Sequence, residues 1–179
     1  MQRLDTLRDT LPKAAGDLRL NIQSVLRPEN LTAEQAWAIA YASALFVDAD
    51  PRLVEALRED ATDAGVGDAL LDDAHAAVAL MGMNTVYYRF RHMIGKDEYA
   101  NMPPKLRMQR IAKPATDTLG FELLSMACAA LAGCEMCIHA HEKSLLEHGA
   151  TSAQVHDAVR IASVVAGFDA ALRLPVSEA

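Results

Sequence analysis

Helix-start signals recur along this chain at spacings that leave little room for strands. Thr32-Ala33-Glu34-Gln35 and Thr151-Ser152-Ala153-Gln154 each place a hydroxyl at an N-cap and a glutamine three residues on, a reciprocal pattern that satisfies two orphan amides. Asp50-Pro51 supplies a third start, because aspartate accepts from first-turn amides and proline gives up an amide that would be unpaired anyway. Gly65, Gly133 and Gly149 are the matching stops. Between these signals alanine, leucine, methionine and arginine recur, while aromatic residues make up only 5%, a composition that suits helices better than sheets. The expected fold class is all-α. At 179 residues, 51% of them hydrophobic, the chain is long enough to bury a real core as one compact domain.

Read in order, Arg3 to Leu26 is an amphipathic arm broken at Pro12 into two short helices, with a turn at Arg27-Pro28-Glu29-Asn30. Thr32 then opens a helix to about Phe46 with Trp37 on its buried face, and Asp50-Pro51 opens another that ends at Gly65. A third runs from about Asp68 through Met83, with Arg91 as its outer limit, before Asn101-Met102-Pro103-Pro104 breaks the pattern. The second half repeats this grammar: a helix from about Asp117 to Ala132, one from Cys134 to His148, and one from Thr151 to about Arg173 before Pro175. Sliding the halves by 84 positions sets Gly65 on Gly149, Asp73 on Asp157, Ala74 on Ala158 and Trp37 on Phe121, a weak internal repeat of a three-helix unit. The expected organisation is a single domain over 1–179, with an arm at 1–30, a first unit at 31–100 and a cysteine-bearing unit at 115–175. Under that offset Cys134 falls on Asp50, at the N-cap of its helix, where a thiolate would face unpaired amides and the positive end of the helix dipole.

The formal net charge is -7 and no run of lysine and arginine could track a phosphate backbone, which argues against nucleic acid as a partner. Met1-Gln2-Arg3-Leu4-Asp5-Thr6 lacks an apolar leader pattern, and no stretch is apolar enough to span a bilayer, so a cytoplasmic protein without a membrane partner is expected. Three cysteines are too few and too clustered for an extracellular disulfide framework. They point to chemistry or to metal.

Cys134 and Cys137 form a CxxC, and His141 follows four residues after Cys137, so all three fall on one stripe of a helix beginning near Cys134. A dithiol needs that closeness, and a neighbouring imidazole can accept the proton whose loss makes a sulfur nucleophilic. Glu122, flanked by apolar residues in Gly120-Phe121-Glu122-Leu123-Leu124, is placed toward the interior, where it needs a partner. Within reach of His141 it would orient the ring, giving a Glu-His-Cys relay. The competing reading makes the CxxC half of a zinc site with His139 or His141 as further ligands, but structural zinc wants four ligands and there is no second CxxC. No metal is therefore expected. Cys128, in an apolar run, is expected to be an inert core thiol; His75, His92, His148 and His156 have no cysteine partners, and Met81-Gly82-Met83 reads as packing.

Gly120-Phe121-Glu122-Leu123 followed by Gly133-Cys134-Glu135-Met136-Cys137-Ile138-His139-Ala140-His141-Glu142 resembles the alkylhydroperoxidase AhpD family of the carboxymuconolactone decarboxylase-like superfamily. Met81 to Arg89, Leu106-Arg107-Met108 and Leu18-Arg19-Leu20-Asn21 also look like segments of that family, so the similarity covers most of the chain. The resemblance implies an AhpD-like helical bundle assembling as a homo-oligomer, commonly a trimer, with the 31–100 unit non-catalytic. It implies a thiol-dependent alkyl hydroperoxide reductase in an antioxidant relay, with no bound cofactor. Electrons would come from a dihydrolipoyl group on a lipoylated dehydrogenase subunit and pass to an AhpC-like peroxiredoxin. The residues carried over are Glu122, Cys134, Cys137 and His141, with Cys134 and Cys137 as the redox disulfide.

One position departs from the pattern. Met136 stands where the family often has a histidine that belongs to the site, and His139 points away from the Cys137 stripe. The mechanism expected is proton removal from Cys137 by His141, attack on the hydroperoxide, and closure of the disulfide by Cys134. Two other classes stand beside it: a non-redox or metal-binding assembly protein, and a carboxymuconolactone decarboxylase-like enzyme, whose relatives work without a CxxC.

Overall fold

α1 (Gln2–Arg8) and α2 (Gly16–Val25), joined through Pro12 and a 3-10 turn at Lys13–Ala15, make up the amino-terminal arm. In the computed structural model, which describes residues 1–175, the chain continues through α3 (Ala33–Phe46), α4 (Pro51–Asp63), α5 (Asp68–Ile94), α6 (Asp97–Asn101), α7 (Gln109–Ala112), α8 (Thr118–Ala132), α9 (Glu135–Glu147) and α10 (Ser152–Leu172). The described residues are all-α and contain no strand. The last positions of the expected domain, 176–179, lie outside them.

The helices start where local chemistry places them. Thr32 Oγ1 accepts from the Gln35 amide at 3.1 Å while Gln35 Oε1 accepts from the Thr32 amide at 3.0 Å, and Thr151 with Gln154 repeats this at 3.2 and 2.8 Å. Asp50 accepts from the Arg52 amide at 2.9 Å and Asp117 from the Gly120 amide at 2.7 Å. α4 and α9 each have 13 residues and begin 84 positions apart, at Pro51 and Glu135; α5 and α10 also begin 84 apart, at Asp68 and Ser152. α5 runs three residues past the outer limit read from the sequence, to Ile94, because nothing breaks the helix before Gly95, whose φ of 58° lies in the left-handed region. The short helices α6 and α7 have no strong local signal and were not expected.

α3 and α8 form the centre. Every residue from Ala36 to Ala44 in α3 and from Gly120 to Ala129 in α8 is buried, and a helix apolar all round has to be surrounded. α3 packs against α4, α5, α8 and α10, while α8 packs against α3, α5, α9 and α10. Alanine at 36, 38, 40, 42 and 44 lets these neighbours approach closely.

Four buried aspartates fasten the segments that enter this core. Asp60 accepts from the Leu4 amide at 2.9 Å and the Arg3 amide at 3.3 Å, holding α1 on α4. Asp157 takes the Asn30 side chain at 2.9 Å ahead of α3, and Asp169 takes the Asp50 amide at 2.8 Å ahead of α4. Asp73 receives the amides of Ala115 and Thr116 at 2.8 Å each, the Thr116 hydroxyl at 2.7 Å and Arg110, just ahead of α8. Burial pushes the Asp73 carboxyl up, but its hydrogen bonds together hold it below the ordinary carboxylate value. A depressed folded-state value stabilises the protein above the unfolded value and ceases to do so as pH falls through the folded one. Asp73→Asn should therefore lower stability at pH 7 by about 2–3 kcal/mol. The gap to wild type should close as pH is taken below ~3.9, measured by urea unfolding across a pH series.

Candidate active site

α8 and α9 meet at a turn that only a short, left-handed linker can make. Gly133 has φ 62°, where a side chain is strained, and the amides of Gly133 and Cys134 return to the carbonyls of Ala130 and Ala129 at 3.1 Å each. The chain so turned delivers Cys134 as the N-cap of α9, and Cys134 and Cys137 are joined in a disulfide with Cα atoms 5.3 Å apart. Cys134 is wholly buried and Cys137 is 5% exposed. Met81, Cys128 and Ala129 pack around them, with Phe46, Tyr88 and Ile138 at the margin.

His141 lies one turn beyond Cys137 on the same stripe of α9 and is buried. Its Nδ1 is 2.6 Å from Oε2 of Glu122, itself buried because no face of α8 reaches solvent at that level. A carboxylate only accepts, so Nδ1 carries the hydrogen and Nε2 is left with its lone pair to receive a proton. All four residues singled out from the sequence thus occupy the α8–α9 corner.

α5 braces this corner from the other side. Arg89 donates to the Ala132 carbonyl at 2.7 Å, closing the end of α8, and His92 lies 3.1 Å from Glu135 in the first turn of α9. Met136 is 40% exposed and His139 reaches only Glu135, at 3.8 Å, so neither belongs to the buried cluster. Of the other histidines, His75 bonds the Tyr41 hydroxyl at 2.9 Å, His148 bonds the Ser144 carbonyl at 2.8 Å, and His156 is exposed. No group of three or more His, Cys, Asp or Glu residues among those described is arranged to hold a metal ion. No described helix is long and apolar enough to cross a membrane.

Reading the sequence as packing at Met81-Gly82-Met83 missed what α5 brings to the site. Met81 is packing, yet what it packs on is the cysteine pair; Asn84, Thr85 and Tyr88 continue its stripe, and the first two are buried polar residues. That spacing of three, four and seven was the available signal. Cys128 sits behind the pair, wholly buried, and burial pushes its thiol up to about 12. Oxidised native protein should therefore take up no iodoacetamide at pH 8, and one equivalent, at Cys128, once unfolded without reductant; intact mass reads both.

A model of the carboxymuconolactone decarboxylase family matches residues 97–174, which span both site helices. The protein named alkyl hydroperoxide reductase AhpD from Anaeromyxobacter dehalogenans strain 2CP-C is 48% identical over 174 residues, covering 97% of this chain and 92% of its own. The proteins of the same name from Maricaulis maris and Solibacter usitatus are 43% and 41% identical over 169 residues, each covering 94% of this chain and, respectively, 96% and 94% of their own.

Proposed function

The chain belongs to the AhpD family, within the carboxymuconolactone decarboxylase-like superfamily, and we propose that it reduces alkyl hydroperoxides with the Cys134–Cys137 pair. Family membership together with the cysteine pair and the Glu122–His141 contact makes it a thiol-based oxidoreductase, in preference to a metal-binding assembly protein or a decarboxylase. The observation that carries the reading is the buried 2.6 Å contact between Glu122 and His141, one helical turn from Cys137.

In the reduced state Nε2 of His141 takes the Cys137 proton, and Glu122 stabilises the imidazolium that forms. The thiolate attacks the terminal oxygen of the hydroperoxide; the O–O bond breaks, the sulfur becomes a sulfenic acid, and the alkoxide leaves as the alcohol with the proton held by His141. The Cys134 thiol then displaces the hydroxyl as water and closes the disulfide. A dihydrolipoyl dithiol restores both thiols and is itself oxidised to its disulfide. Cys137 attacks first in this account because it is the more exposed of the two residues and shares a stripe with His141.

The dihydrolipoyl donor on a lipoylated dehydrogenase subunit, onward transfer to an AhpC-like peroxiredoxin, a homotrimeric assembly and a cytoplasmic setting belong to the same proposal, supported by membership of the family. So does the division into an arm at 1–30, a non-catalytic unit at 31–100 and a catalytic unit at 115–175, which the 84-residue recurrence of helix starts supports.

Reduced protein treated with one equivalent of cumene hydroperoxide should lose two hydrogens at a peptide linking Cys134 and Cys137 and regain them with dihydrolipoamide. Thiols left free under peroxide would overturn the reading. Sulfenate should persist on Cys137 in the Cys134→Ser variant, and sulfenate on Cys134 in Cys137→Ser would reverse the order. Removing the base in His141→Asn should slow peroxide-driven oxidation by about 10²-fold or more at neutral pH, followed by stopped-flow thiol titration.

A further inference from the structure

Buried polar atoms without a hydrogen-bond partner are uncommon, and each marks strain, function or a partner that comes and goes. Among the described residues two such oxygens stand on the helices that enclose the cysteine pair: Oδ1 of Asn84 on α5 and Oγ of Ser125 on α8. Asn84 is 5% exposed and Ser125 is 1% exposed. Asn84 falls three residues after Met81 and four before Tyr88, and both of those pack on the cluster of Cys134 and Cys137. Ser125 falls three residues after Glu122, which holds His141, and three before Cys128, which packs on the same cluster. α5 packs against both α8 and α9.

Ser125 is also unlike its counterparts. Ser43, Thr85 and Ser163 each turn their hydroxyl back to the carbonyl four residues earlier, at 2.7, 2.7 and 2.8 Å. Ser125 does not, although it sits in the middle of α8 with the same option. A leucine at position 84 and an alanine at 125 would fill these places without leaving an oxygen stranded, so packing alone does not account for either residue.

A hydroperoxide R–O–O–H offers one hydrogen on its terminal oxygen and bare lone pairs on the other. An amide carbonyl and a hydroxyl donor are the complement of that pair. We propose that Asn84 and Ser125 form the seat of the hydroperoxide group: Asn84 Oδ1 accepts the O–H of the terminal oxygen, and the Ser125 hydroxyl donates to the oxygen that will leave. Held at both ends, the O–O bond presents its terminal oxygen to Cys137. The seat acts only in the oxidising half of the cycle, since a dithiol attacking the disulfide has no O–O group to place. The inference rests on the peroxidase reading above.

The test compares the two half-reactions in wild type, Asn84→Leu and Ser125→Ala. Reduced protein is mixed with cumene hydroperoxide and the rate of thiol loss is followed; oxidised protein is mixed with dihydrolipoamide and thiol recovery is followed; thermal midpoints are recorded for all three. Each substitution should slow oxidation about tenfold, the loss of roughly one hydrogen bond to substrate, with dihydrolipoamide reduction within twofold of wild type and the midpoint unchanged or raised. Oxidation within twofold of wild type in both variants overturns the inference, as does equal slowing of both half-reactions. If Asn84→Leu does not fold, Ser125→Ala, which removes a single oxygen, decides by the same criteria. Wild-type thiols that survive cumene hydroperoxide overturn the proposed function and this inference with it, whereas wild-type turnover beside unimpaired variants overturns the inference alone.

Discussion

The carboxylate of Asp73 holds the approach to the site in place. It lies fully buried on α5 and gathers the amides of Ala115 and Thr116, the Thr116 hydroxyl and the Arg110 guanidinium. Asp117, next in the chain, caps α8, so the phase at which α8 enters the core is set by this one carboxylate. Glu122 lies less than two turns further on, and its position opposite His141 follows from that phase. A buried charge is tolerable only when its partners are complete, and here two backbone amides and a hydroxyl of the segment that must be fixed share the carboxylate with the Arg110 guanidinium.

The same device recurs around the molecule. Asp60 anchors α1, Asp157 anchors the approach to α3, and Asp169 anchors the approach to α4. The central helices mix close-packed alanines with bulky buried residues such as Trp37, Ile39, Phe121 and Leu124. Directional bonds from the buried aspartates to the entering segments add specificity to that packing. Against this frame the α8–α9 corner needs one residue free to take a left-handed backbone, Gly133, and α5 clamps it through Arg89 and the His92–Glu135 contact.

Much of this was legible in the sequence because it is local. Capping is chemistry within four residues, which is why Thr32, Asp50, Asp117 and Thr151 mark the helix starts, and the stripe of Cys134, Cys137 and His141 follows from helical spacing alone. Glu122 was legible because a carboxylate amid apolar residues has nowhere else to go. What escaped was long-range. Asp73 reads as an ordinary helical aspartate until the segment more than forty residues later folds over it. Asn84 and Tyr88 look like an unremarkable stretch of α5 until α8 and α9 pack there. α6 and α7 are too short to have a pattern of their own.

α4 and α9 have equal lengths and starts 84 positions apart, so the corner of α3 and α4 can be laid beside that of α8 and α9. Where the second corner has Glu122, Cys137 and His141, the first has Ala38, Leu53 and Leu57, each buried to within 1% of completely. Hydrocarbon fills these positions at the first corner, and a disulfide and a Glu–His hydrogen bond fill them at the second. At the second corner the chain turns at Gly133, whose backbone lies in the left-handed region, and the cross-link follows that turn. A sulfur pair in such a place can open and close through many cycles while the architecture around it stays indifferent to its oxidation state.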